Sequence, residues 1–253
     1  MSLAVITGGA TGIGAAAVRK FASAGYDVAL LDSNAGPAES LGEEKHGGNI
    51  AFYQTDVRDR NAVQHSVDRA AEEFEPPSVL FVNAGIQRLA SIFELKDEDI
   101  DAIIDVNLKG ALYTVAAVAP HMRDAGSGSI VLMASDQIYA GKQGSIVYGA
   151  TKGGVAQMAK SLTVELSPLG IRVNAVCPAT VRTPLTEVIF AAVAEKSHGG
   201  DVEAAWREEG NEHPLGRVAD PQEIAEVVFF LSQPAASFMT GALVPVDGGF
   251  TSR

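Results

Sequence analysis

Short apolar runs alternate along this chain with longer stretches whose apolar positions recur at a helical period. The runs Leu3–Thr7, Val28–Asp32, Ile50–Gln54, Val79–Asn83, Ser129–Ser135, Arg172–Cys177 and Ala242–Val246 read as strands. Rich in Val, Ile and Leu, they lack the in–out alternation of a sheet with one wet face, so both faces must be covered. Segments 12–25, 36–45, 59–74, 98–124, 146–168 and 221–232 read as helices. Strands alternating with helices predict an α/β fold, a doubly wound parallel sheet of about seven strands with helices on both faces. No linker or repeat divides residues 1–253, which read as a single domain.

One segment breaks the rhythm. From Pro184 to Asp220 the chain holds Ala-rich helical patches and the polar stretch Glu195-Lys196-Ser197-His198-Gly199-Gly200-Asp201, but no strand. So long a segment without a strand reads as a functional lid, here over a substrate. Trp206 is its expected anchor.

Composition narrows the partners. The 253 residues include 31 acidic and 19 basic side chains, a net charge of −12, and no basic cluster suits nucleic acid or an anionic membrane. No apolar run approaches the ~18 residues of a membrane span. The N-terminus enters Leu3–Thr7 without a charged leader, so a cytoplasmic location is expected. Cys177 is the only cysteine; it forms no intrachain disulfide and reads as a small buried hydrophobe. His46, His65, His121, His198 and His213 show no ligand spacing, and no metal is expected.

The first strand runs into Thr7-Gly8-Gly9-Ala10-Thr11-Gly12-Ile13-Gly14, and a helix follows. Glycines there allow a tight turn and bring bare backbone to a pyrophosphate, which the helix N-terminus attracts. Gly8, Thr11, Gly12 and Ile13 are the candidate phosphate-binding positions. Asp32 ends the second strand 18 residues after Gly14, where a carboxylate accepts hydrogen bonds from ribose hydroxyls. Its charge would repel a 2′-phosphate, and positions 10 and 33, where a compensating base would sit, hold Ala10 and Ser33. NAD is therefore expected over NADP.

Tyr148-Gly149-Ala150-Thr151-Lys152 lies in a predicted helix. Residues four apart share a helix face, and a nearby ammonium favours phenolate, making Tyr148 a candidate general acid/base. Ser135 ends a strand 13 residues upstream, Asn83-Ala84-Gly85 ends another, and Asn107 lies in the long helix that follows. In open α/β sheets such groups converge beyond the carboxyl ends of the strands.

With these motifs in order over nearly the whole chain, and with Asp247-Gly248-Gly249 near its end, the sequence resembles the single-domain short-chain dehydrogenase/reductase family. The resemblance implies a Rossmann-like fold and a tetrad of Asn107, Ser135, Tyr148 and Lys152. Tyr148 would exchange the proton of the substrate hydroxyl and Ser135 would hold the substrate oxygen. Lys152 would lower the Tyr148 pKa and bond the nicotinamide ribose, and Asn107 would hold a water linking Lys152 to solvent. It also implies Asp56 on the adenine amino group, Val57 on the ring, and Val181 and Thr183 on the nicotinamide carboxamide and phosphates. Relatives usually carry glycine where this chain has Ala179, a change that adds a methyl and removes no chemical group. A homotetramer built partly through helices 98–124 and 146–168 is the family expectation.

Polar residues just beyond the motifs, Gln87, Arg88, Asp136, Gln137 and Gln143, are expected to line the substrate pocket with Ser135. They favour a small polyhydroxylated or sugar-acid-like alcohol over a hydrophobic one. Two other readings exist. Sugar-nucleotide epimerases and dehydratases share Tyr-x3-Lys but generally have a Gly-x2-Gly-x2-Gly turn and a longer C-terminal domain. A catalytically silent NAD-binding sensor or scaffold usually lacks a member of the tetrad, and this chain has all four.

Overall fold

Each apolar run forms a strand in the computed structural model, which describes residues 2–252. The strands are β1 (Leu3–Thr7), β2 (Asp27–Asp32), β3 (Ile50–Gln54), β4 (Pro77–Val82), β5 (Gly128–Met133), β6 (Ile171–Pro178) and β7 (Leu243–Val246). They pair in the order β3-β2-β1-β4-β5-β6-β7, and every neighbouring pair is parallel. The chain steps outward from β1 to one edge, returns at β4 and steps to the other. That reversal is the Rossmann-type switch point, where a crevice opens beyond the carboxyl ends of β1 and β4.

The helices are α1 (Gly12–Ser23), α2 (Ala35–Gly42), α3 (Arg60–Glu73), α4 (Asp97–Ile104), α5 (Gly110–Ala125), α6 (Ile146–Leu166), α7 (Pro184–Ser197), α8 (Val202–Asn211) and α9 (Pro221–Ser232). Side chains alternate across a strand, and β1 shows the consequence. Leu3 and Val5 pack in a core with α3, α5 and α6, whereas Ala4 and Ile6 pack in a second core with α1, α2 and α9. Phe21 of α1 meets Phe229 of α9 edge-on at 5.1 Å and Tyr26 at 5.3 Å.

Several boundaries differ from the sequence reading. The helix expected over 98–124 is interrupted by a π-type turn, Asp105–Lys109, which separates α4 from α5. Such single turns inside α-helices frequently mark functional positions, and this one carries Asn107. Strands β4 and β5 stop at Val82 and Met133, leaving Asn83 and Ser135 just beyond their carboxyl ends. Among the described residues, Asp97–Ala125 is long and apolar enough to cross a membrane by length and composition, contrary to the expectation of no such run. Ile103, Val115, Val118 and Met122 within it are buried in the domain core.

The 184–220 segment is ordered as α7 and α8. Thr183 and Thr186 form a reciprocal capping box at the start of α7, and the Asp201 carboxylate caps α8. Phe190 stacks on Trp206 at 4.0 Å, with Ala194 and Ala205 buried beside them. Trp206 is thus the anchor of a small separate core. A bridge between Val181 and Ala219 ties the two ends of the segment together.

Candidate active site

The glycine turn is built by close approach. Gly8 takes φ +63°, and a Cβ on Gly14 would stand 1.9 Å from the Gly8 carbonyl oxygen. Asn83 fastens the turn to β4: its backbone N–H donates to Thr7 Oγ1 at 3.1 Å, and its Nδ2 donates to the carbonyls of Thr7 (3.2 Å) and Gly8 (2.9 Å). Thr11 begins α1 without a side-chain capping bond. The first amides of a helix have no intrahelical acceptor, so this terminus suits an anion.

In front of it lies a cleft of about 430 Å³ lined by Gly8, Thr11, Gly12, Ile13, Asp32, Asp56, Val57, Asn83 and Thr183. Asp32 is fixed there, Oδ2 accepting from Ala10 N at 3.0 Å and Oδ1 from Asn34 N at 2.9 Å. Asp56 is held bidentately by Arg58, with Nη2 at 2.6 Å. That guanidinium keeps the carboxyl below the usual range. Arg88, expected at the substrate pocket, lines this cleft instead and is paired with Asp99. A glycine cradle, an uncapped helix terminus and an oriented carboxylate fit a dinucleotide.

A second cavity, about 320 Å³, holds Ser135, Tyr148, Lys152 and Val181. Ile13, Asn83, Gly85, Thr183 and Leu185 line both spaces, which therefore adjoin. Ser135 Oγ accepts from Gln137 N at 3.2 Å and donates to Asp136 Oδ1 at 2.7 Å. Tyr148 and Lys152 share one face of α6, with the ammonium 5.4 Å from the centre of the phenol ring. Lys152 Nζ donates to the Met133 carbonyl at 2.7 Å, and burial lowers its pKa to about 8.

Tyr148 moves the other way. Burial raises its pKa, the charge of Asp136 adds to the rise, and a hydrogen bond with Ser135 opposes it. Desolvation prevails in this arrangement, in which the Lys152 ammonium lies over the ring and bonds Met133. Asn107 lines neither space. Its Oδ1 accepts from Ile86 N at 2.8 Å, and its Nδ2 donates to the Ile86 carbonyl at 2.9 Å and to Thr151 Oγ1 at 3.3 Å. It joins the π turn to the loop after β4 and to the helix carrying Tyr148.

Gln87, Asp136, Gln137 and Gln143 line this second cavity beside Ser135 and Tyr148. The α7 wall facing the same space is apolar: Leu185, Ile189, Phe190 and Val193. The polar pocket read from the sequence is therefore corrected to one with a polar and an apolar side. Sequence reasoning also missed Lys142, Thr180 and Glu209. Lys142 Nζ stands 3.1 Å from Asp136 Oδ2 and 3.8 Å from Glu209 Oε1, and the Thr180 hydroxyl donates to Glu209. Lys142 adjoins Gln143 and was within reach of the same argument; nothing in the sequence marked Glu209. Cys177 is buried, with its thiol pushed up to about 12 by desolvation. No group of potential ligands among the described residues could hold a metal.

Comparison with known proteins agrees with this arrangement. A family model described as Enoyl-(Acyl carrier protein) reductase matches residues 8–251. The chain is 38% identical over 253 residues to oxidoreductase UcpA of Salmonella typhimurium, covering 98% of this chain and 94% of that one. It is 36% identical to D-threitol dehydrogenase of Mycolicibacterium smegmatis, covering 99% and 93% respectively. The fold is similar to aldohexose dehydrogenase of Thermoplasma acidophilum, with a TM-score of 0.87 at 34% identity over 100% of this chain and 94% of that one.

Proposed function

Given that the chain belongs to the short-chain dehydrogenase/reductase family of oxidoreductases, we propose that it is an NAD-dependent enzyme interconverting an alcohol and a carbonyl compound. One observation carries this reading: the cleft with Asp32 at its rim adjoins the cavity holding Ser135 and Tyr148. When bound, the nicotinamide supplies the chemistry of accepting or returning a hydride. Tyr148 takes the hydroxyl proton during oxidation and returns it during reduction. Ser135 turns its hydroxyl from Asp136 to the substrate oxygen. Lys152 lends positive charge beside the phenol and would hold the cofactor's ribose. Asn107 acts through position, fixing the Ile86 loop against α6; the water-holding role implied by the resemblance requires no change in these bonds.

Preference for NAD follows from two fixed charges. Asp32 is oriented by Ala10 and Asn34, and Arg58, which also lines the cleft, is already engaged by Asp56. A 2′-phosphate would meet an oriented carboxylate and no free base. Titrating both cofactors should give NAD at least about tenfold tighter, or ~1.4 kcal/mol. Tighter NADP binding would overturn the role of Asp32.

The substrate we infer is a small polyhydroxylated compound whose carbon skeleton rests on the α7 wall. The polyol and sugar named for two similar proteins support this class. Segment 184–220 serves as its lid. Exposed Leu112 on α5 and Val164 on α6 support self-association through those helices into a tetramer, which light scattering would test.

A further inference from the structure

We propose that Asp136, Lys142 and Glu209 form a second subsite in the substrate cavity, which takes a neutral hydroxyl near the reacting carbon and rejects a carboxylate there. The proposal rests on the reading of Ser135 and Tyr148 given above and narrows its substrate class, removing the sugar acids.

Three observations lead to it. First, the subsite adjoins the reacting centre, because Ser135 donates to Asp136 at 2.7 Å. A hydroxyl on the adjacent or next carbon would lie within its reach. Second, Asp136 is only 2% exposed, yet its Oδ2 has no hydrogen-bond partner. Lys142 Nζ is 3.1 Å away, so this oxygen is ion-paired but receives no directed hydrogen bond, which a ligand hydroxyl would supply. A buried carboxylate oxygen without a directed hydrogen bond is unfavourable, and a ligand that supplies one gains accordingly.

Third, Lys142 is not free to receive an anion. An ammonium has three donors, and around this one stand Asp136, Thr180 Oγ1 at 3.4 Å, Glu209 Oε1 at 3.8 Å and the Phe250 ring centre at 4.9 Å. Two carboxylates against one ammonium leave the cluster with a formal charge of −1. A substrate carboxylate placed among them would meet repulsion in a partly desolvated space. Glu209 comes from α8, so the lid completes the subsite and brings recognition of the second hydroxyl together with closure.

The test uses three ligands with the same carbinol: cyclohexanol, cyclohexane-1,2-diol and 2-hydroxycyclohexanecarboxylate. We would measure kcat/KM with NAD for wild type and Glu209→Gln. Affinity would be read by calorimetry on NAD-loaded Tyr148→Phe protein, where turnover is suppressed. The diol should exceed both other ligands by about tenfold or more, and Glu209→Gln should narrow the diol-to-acid ratio by about tenfold. General damage to the lid would instead lower all three ligands together. Preference for the hydroxy acid, an unchanged ratio in Glu209→Gln, or no binding of the diol would overturn the proposal. If the diol is bound with the expected preference but yields no NADH, the subsite stands and the proposed reaction falls. If NADH forms and the acid is preferred, the reverse holds.

Discussion

Lys152 donates to the carbonyl of Met133 at 2.7 Å while its ammonium lies 5.4 Å from the ring centre of Tyr148. The buried cation thus ties α6 to the end of β5 and stands beside the phenol without forming an ion pair with any described carboxylate. A charge held in this way is a cost to the fold and a resource for the site, and the two can be measured separately.

The cost appears in stability. The folded value of Lys152, about 8, lies below its ordinary 10.5, so between those values the unfolded chain binds the extra proton. Stability should climb with pH across that window, and at neutral pH the buried charge costs about 3 kcal/mol. Lys152→Met removes that charge and also one charge-assisted hydrogen bond worth about 1.5–3 kcal/mol, for a net gain of at most about 1.5 kcal/mol. Urea unfolding at pH 7 should show a higher midpoint in an inactive variant; a lower midpoint would refute this origin of the shift.

The resource appears in the pH profile. Oxidation requires the deprotonated phenol, and Tyr148 is raised above its ordinary value by burial and by Asp136. Rates of oxidation should therefore rise from neutral to alkaline pH, by about tenfold per unit on the steep limb. Reduction uses the protonated phenol and should lack that rise. An oxidation rate independent of pH between 6 and about 9 would contradict the assignment of Tyr148 as base.

Asn107→Ala should act on the fold before the chemistry. It leaves the N–H and carbonyl of Ile86 without their present partners, at a cost of about 2–3 kcal/mol. The check is denaturant unfolding, in which Asn107→Asp should recover part of the loss because an oxygen still accepts from Ile86.

The segment built on Phe190 and Trp206 should loosen on its own. Phe190 and Trp206 belong to a cluster separate from the two main cores. Trp206→Ala should speed hydrogen exchange across 184–212 while the strands keep their protection. KM should rise more than kcat falls. Equal loss of protection in the central sheet would show that this segment is not an independent unit.

Much of this architecture was legible in the chain. Apolar runs with no wet face gave the strands, and Gly8 through Gly14 with Asp32 pointed to the cleft that these residues line. The π turn was hidden because the side chain of Asn107 is read only against Ile86, a loop neighbour that no helical periodicity reveals. The α7 wall and Glu209 were hidden for a related reason. The sequence of segment 184–220 specifies its own small core, Phe190 on Trp206, but not which of its remaining faces meets the second cavity. Spacing shows that Lys152 shares a helix face with Tyr148, but not that its ammonium bonds Met133.

On the proposed mechanism, Tyr148 transfers the proton in an NAD-dependent alcohol oxidation. The most direct test is NADH formation from a neutral polyol by wild type and Tyr148→Phe, with NAD affinity measured on both. NAD binding should be unchanged and turnover should fall by about 10²–10⁴-fold, the usual contribution of a positioned acid/base. Near-normal NADH formation by Tyr148→Phe would contradict the account.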